Sequence, residues 1–104
     1  MPTAKGTFKR LSKNRVEASF VVNGILETYT ANINPALPPF TSNSTTLTYA
    51  DDDNMTGTKT FRGAIGTEPF ELALDDGTKI AGTLNVPGVD KGYTVDGRGQ
   101  WTQD

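Results

Sequence analysis

Residues 21–29 read Val21-Val22-Asn23-Gly24-Ile25-Leu26-Glu27-Thr28-Tyr29, and how this stretch turns decides the architecture. Asn-Gly between two apolar runs signals a two-residue β-hairpin, because a type I′ turn needs positive φ at both central positions. Such a turn pairs Val22 with Ile25 and Phe20 with Glu27. Glu27 then points to the same side as Ile25, Tyr29, Ala31 and Ile33. A three-residue loop would instead pair Phe20 with Leu26, send Glu27 to water and move Ile25, Tyr29 and Ile33 outward. That register loses more apolar burial than it saves by freeing one carboxylate near a hairpin end, where water still reaches. The two-residue turn is therefore expected, with Glu27 on the inner face close to the rim.

The same alternation runs outward from this hairpin. Gly6 to Leu11 is expected as a strand, turning at Ser12-Lys13-Asn14 into Arg15 to Val22, whose Val16, Ala18, Phe20 and Val22 share a face. Asn34 to Phe40 carries three prolines, which remove backbone donors and forbid an interior strand. It reads as an extended crossover pinned by Leu37 and Phe40. Thr45 to Ala50 follows as a strand with Thr45, Leu47 and Tyr49 in phase, then a polar loop over 51–57, then Thr58 to Ile65. Phe70, Leu72 and Leu74 mark the next strand, and Ile80, Leu84 and Val86 the one after it. Parity fixes the loop between those two: only a three-residue Asp75-Asp76-Gly77 loop pairs Leu72 with Ile80, and it puts Gly77 where a G1 bulge needs a left-handed residue. In the last strand Tyr93, Val95, Gly97, Gly99 and Trp101 fall on one face. Its two glycines read as a bend or a close approach by another strand, ahead of floor space beneath a ligand.

No segment holds an apolar period near 3.6, so the expected fold is all-β: a single antiparallel sandwich or small closed barrel of about eight short strands, with little or no helix. At 104 residues the chain is one domain, 1–104, with a flexible N-terminus over 1–5 and the Pro-rich crossover at 34–40. A faint repeat runs through it: Gly6-Thr7, Phe8, Phe20 and Asn23-Gly24 resemble Gly57-Thr58, Phe61, Phe70 and Asp76-Gly77 in order and rough spacing, with the prolines between the halves.

Composition excludes more than it selects. The chain has no cysteine and no histidine, which removes thiolate metal sites, disulfides, the commonest general base and the commonest metal ligand. Its net charge of −2 argues against nucleic acid as a partner, although Lys9, Arg10, Lys13 and Arg15 cluster near the N-terminus. No apolar run approaches the length of a membrane-spanning helix, so no membrane partner is expected. The opening MPTAKGTF lacks a signal-peptide core, which reads as cytoplasmic unless the chain is a mature or non-classically exported form.

Among chemical candidates, Ser12 beside Lys13 reads as turn polarity, and Glu17 and Glu71 alternate onto solvated faces. Only Glu27 breaks the alternation, and one inward carboxylate is no acid–base pair. Asp51-Asp52-Asp53-Asn54 fails the EF-hand pattern, since Met55 and Thr56 stand where an oxygen ligand and a glycine belong. Calcium ligation by Asp51 and Asp53 through another loop geometry competes with a solvated hairpin tip. Asn43-Ser44-Thr45 and Asn54-Met55-Thr56 match the glycosylation acceptor pattern, which Thr- and Asn-rich chains also produce by chance. Trp101, Tyr93, Arg98 and Gln100 share a strand, but the rings and the polar groups fall on opposite faces, so the aromatics read first as core.

The functional expectation is a small non-enzymatic binding module without a cofactor. Its partner would be a carbohydrate, another polar ligand or a protein, contacted at one end through Glu27, Tyr29 and Trp101. The alternative is a structural subunit whose edge strands, such as Thr45 to Ala50, pair between copies into a homo-oligomer or particle. A carboxylate-based hydrolase stands third.

Overall fold

The computed structural model describes residues 2–51, 55–86 and 88–103. The Asn23-Gly24 turn sets the first ladder. Asn23 has φ 53° and Gly24 φ 79°, and Val22 pairs with Ile25 and Phe20 with Glu27, as a type I′ turn requires. Glu27 is buried and points inward.

Eight strands follow in order: β1 (Thr3–Ser12), β2 (Arg15–Val22), β3 (Ile25–Asn34), β4 (Thr41–Thr48), β5 (Thr58–Ile65), β6 (Pro69–Leu74), β7 (Lys79–Thr83) and β8 (Tyr93–Gln103). No α-helix occurs among the described residues. All pairings are antiparallel, and the strands close into a barrel in the order β1-β2-β3-β8-β5-β6-β7-β4. Of the two architectures the sequence left open, the chain adopts the barrel. Advancing every strand by four maps this order onto itself, so β1–β4 and β5–β8 are topological equivalents. The sequence repeat follows the same correspondence: Phe8 and Phe61 lie on β1 and β5, Phe20 and Phe70 on β2 and β6.

Eight strands enclose just enough room for side chains to fill, and here they fill it. Phe8, Phe70 and Phe40 stack at the crossover end, with ring centroids 4.7 Å (Phe8–Phe70) and 5.2 Å (Phe8–Phe40) apart. Tyr29, Trp101, Phe61 and Phe20 form a second cluster toward the Asn23-Gly24 end. Leu37 and Phe40 of the Pro-rich crossover are buried, as is Met55 between β4 and β5. The glycines of β8 mark close approach: at Gly97 the place of a Cβ is taken by the Asn32 carbonyl oxygen and the Phe61 ring, and at Gly99 by Ala31.

Turn chemistry carries the second sheet segment too. Leu72 pairs with Ile80, Gly77 has φ 91°, and its N–H donates to the Leu74 carbonyl at 3.1 Å. The three-residue loop with a bulge is therefore present.

Several boundaries differ from the sequence reading. β1 starts at Thr3, which pairs with Thr48, so residues 3–5 belong to a strand and not to a flexible N-terminus. β4 starts at Thr41, four residues before the expected Thr45, because a bulge breaks the alternation. Gly6 faces Thr45 but Phe8 faces Ser42, two residues against three. Ser42 Oγ holds this bulge, donating to the Thr83 carbonyl at 2.6 Å and accepting from Ser44 N at 3.1 Å and Thr45 Oγ1 at 3.0 Å. β7 ends at Thr83, opposite Pro69, and one further bond, from the Leu84 N–H to the Glu68 carbonyl at 2.7 Å, follows it. Leu84 is still buried but Val86 is exposed, so the expected Ile80, Leu84 and Val86 face does not form. Ile25 is also exposed, at 42 %, because among the described residues the β3–β8 ladder begins only at Glu27 and Gln103.

Candidate functional site

The sequence singled out Glu27, Tyr29 and Trp101, and the fold brings all three together. Tyr29 and Trp101 are direct partners across β3 and β8, with ring centroids 5.0 Å apart. Glu27 pairs with Gln103, whose Nε2 donates to Glu27 Oε2 at 3.0 Å. Yet Glu27, Tyr29 and Trp101 are only 3 %, 1 % and 4 % exposed. The Tyr29 hydroxyl donates to the Lys59 carbonyl at 2.7 Å. Burial, reinforced by the negative charge of Asp75, pushes its phenol well above the usual tyrosine range. The trio is the packed lining of one barrel end and leaves little surface open to a ligand.

Of the calcium candidates, Asp51 is exposed beyond β4, and Asp53 lies outside the described residues. So do Asp52 and Asn54, and with Asn54 the second glycosylation match. Among the described residues no three His, Cys, Asp or Glu side chains converge.

The outer face of β3, β8 and β5 presents a different arrangement. β8 runs between β3 and β5, and the registers place residues from three strands in rows. Asn32, Arg98 and Thr60 form one row, and Asn34, Asp96 and Arg62 the next. All six are exposed, since each alternates with an inward neighbour. Short side chains, Thr60 and Ala73 of β6, leave a floor between the longer arginines. The result is an open groove of about 750 Å³. Smaller depressions continue it on two sides, one sharing Asn32 and Arg98, the other Arg62 and Asp96.

Charge is distributed unevenly around this groove. The chain has four arginines. Arg10 is used by the fold, donating to the Leu37 carbonyl at 2.8 Å. The other three border this face: Arg15 donates to Asn32 Oδ1 at 3.3 Å, whereas the guanidinium groups of Arg62 and Arg98 make no ion pair or hydrogen bond among the described residues. Asp75 closes one side, its Oδ2 accepting from Thr60 N at 3.3 Å and Thr60 Oγ1 at 3.1 Å. The groove thus offers two uncommitted guanidinium groups, two amides, a hydroxyl and two exposed carboxylates, all but Asp75 on strands fixed by hydrogen bonds on both sides.

Sequence reasoning placed Arg98 and Gln100 on the polar face of β8 but missed the groove. Its residues come from strands far apart in the chain, and only the non-sequential order β3-β8-β5 assembles them. No protein-family model, curated protein or solved structure matches this chain.

Proposed function

We propose that this chain is a non-catalytic binding module that holds a carbohydrate chain in the groove across β3, β8 and β5. The observation that carries this reading is the pair of rows, Asn32–Arg98–Thr60 and Asn34–Asp96–Arg62. They present donors and acceptors side by side, which polyhydroxyl ligands need, on rigid strands that require little ordering on binding. Large buried side chains, Tyr29, Phe8 and Phe20 among them, occupy the inward positions, which turns attention outward. The absence of histidine and cysteine from the sequence supports binding over turnover.

The test is a glycan array probed with the full chain, followed by amide-shift mapping with any glycan that binds. Shifts confined to β3, β8 and β5, and loss of binding in Asn32→Ala, are the expected results. Shifts at the Asn23-Gly24 end instead would move the site. A blank array would remove the reading, and cleavage of the bound glycan would replace it with the hydrolase.

An assembly subunit is the second reading, and one observation favours it. Val21, Ile25 and Leu26 are exposed at the β2–β3 hairpin tip, a clustered apolar surface of the kind that copies of a chain bury between them. Edge pairing is not its route, because β4 is hydrogen-bonded to β1 on one side and β7 on the other. Light scattering at micromolar concentration separates the readings: a closed oligomer dissociated by Val21→Ser, with a blank array, selects assembly.

A further inference from the structure

We infer that the groove's ligand is an acidic carbohydrate, whose carboxylate or sulfate groups are taken by Arg62 and Arg98 while its hydroxyls are taken by Asp96, Asn32 and Asn34. The inference rests on the reading that the groove binds carbohydrate, and it specifies the charge of that ligand.

The arginines supply the first part of the argument. Thr60 pairs with Arg98 and Arg62 with Asp96, so Arg62 and Arg98 are diagonal neighbours on one face, at roughly 7–8 Å. Two cationic side chains rooted at diagonal positions repel each other weakly in water, and an oxyanion taken between or beside them relieves this. Asp96 stands opposite Arg62, yet no ion pair forms between them. The groove has no lysine among its lining residues, and a planar guanidinium, unlike an ammonium, matches a carboxylate or sulfate with two parallel hydrogen bonds. This concentration of arginine stands out on a chain whose net charge is −2.

The carboxylates supply the second part. Asp75 and Asp96 line the same groove, and both repel a ligand made only of oxyanions, such as a nucleic-acid backbone. A neutral sugar satisfies Asp96 and the amides but leaves both guanidinium groups without an anion. A sugar chain bearing oxyanions satisfies both sets at once, since a carboxylate side chain accepts from hydroxyls and an arginine donates to the anion.

The test uses the full chain and isothermal titration with four oligosaccharides and one peptide. Oligogalacturonate and a sulfated galactan carry the two oxyanions; methyl-esterified oligogalacturonate and unsulfated galactan are their neutral counterparts. Polyglutamate is an anion without hydroxyls. At least one acidic oligosaccharide should bind about tenfold or more tightly than its neutral counterpart, with affinity falling as salt rises from about 50 to about 500 mM. Which of the two binds assigns carboxylate or sulfate. Arg62→Gln and Arg98→Gln should each erase most of that preference, and Arg98→Lys should restore only part of it. Both positions are exposed, so unchanged circular dichroism is expected. Equal binding of the acidic and neutral forms overturns this inference and leaves the carbohydrate reading standing. Binding of polyglutamate alone overturns it in favour of an acidic peptide. Binding of none of the five overturns this inference and, together with a blank glycan array, removes the carbohydrate reading as well.

Discussion

Phe20 stands directly opposite Glu27 across the β2–β3 ladder, so a phenyl ring and a carboxylate share the inner face of the barrel. An inward carboxylate needs hydrogen bonds to offset its lost hydration, and Gln103 on the neighbouring strand donates one to it at 3.0 Å.

Gln103→Ala removes that donor from a buried carboxylate. Hydrogen bonds to charged groups are worth about 1.5–3 kcal/mol, and the exposed position of Gln103 puts the expected loss near the lower bound. Urea unfolding should show a lower midpoint with an unchanged slope. An unchanged midpoint would mean that water takes over the contact in full.

Gly97 and Gly24 separate two reasons for glycine. At Gly97 a methyl group would meet the Asn32 carbonyl and the Phe61 ring, whereas at Gly24 it meets nothing within 4 Å but the backbone has φ +79°. Gly97→Ala should cost about 3 kcal/mol by overpacking, and Gly24→Ala about 1 kcal/mol by backbone strain. Equal losses by thermal or urea unfolding would show that β8 can move away from β3 and β5.

The hairpins were legible in the sequence because parity is a strict constraint. One residue of slip turns every side chain over, so Val22, Tyr29 and Ile33 fix the Asn23-Gly24 register, and Leu72 with Ile80 fixes the Asp75–Gly77 loop. The start of β4 was illegible for the same reason. Ser42 and Thr45 are both buried although three residues apart, which alternation forbids until a bulge is admitted. The groove was illegible because outward Asn32, Arg62 and Arg98 each look like ordinary solvated positions. Their proximity depends on which strands are neighbours, and that follows from closing the barrel rather than from any local pattern.

Ser42 carries the bulge through a hydroxyl that donates once and accepts twice. Ser42→Ala leaves the Thr83 carbonyl, the Ser44 N–H and the buried Thr45 hydroxyl to find other partners. The expected cost is about 2 kcal/mol, read from the denaturant midpoint. Hydrogen exchange should also speed up at β4 and β7 before the rest of the barrel. Uniform exchange across all eight strands would show that the bulge is held by the backbone alone.

Asp76 makes the stability of the β6–β7 turn depend on pH. Partial burial works to raise its pKa, but the hydrogen bond from the Thr78 N–H, the neighbouring Thr78 hydroxyl dipole and the nearby Lys59 ammonium outweigh this and lower it. The Thr78 N–H lies 3.0 Å from Oδ1 and Lys59 Nζ 3.4 Å from Oδ2. A carboxyl that is more acidic in the folded chain than in the unfolded one stabilises the fold fully above its unfolded pKa, about 3.9. That contribution is lost as pH falls through this value toward the lower folded one. The melting temperature of the parent chain should therefore drop between about pH 6 and pH 3, and Asp76→Asn should drop less over the same range. Asn keeps an oxygen for the Thr78 N–H, so at pH 6 the variant should lose only the charge interaction with Lys59, which at a partly exposed pair is under about 1 kcal/mol. Parallel pH profiles for parent and variant would assign the acid sensitivity to other carboxylates.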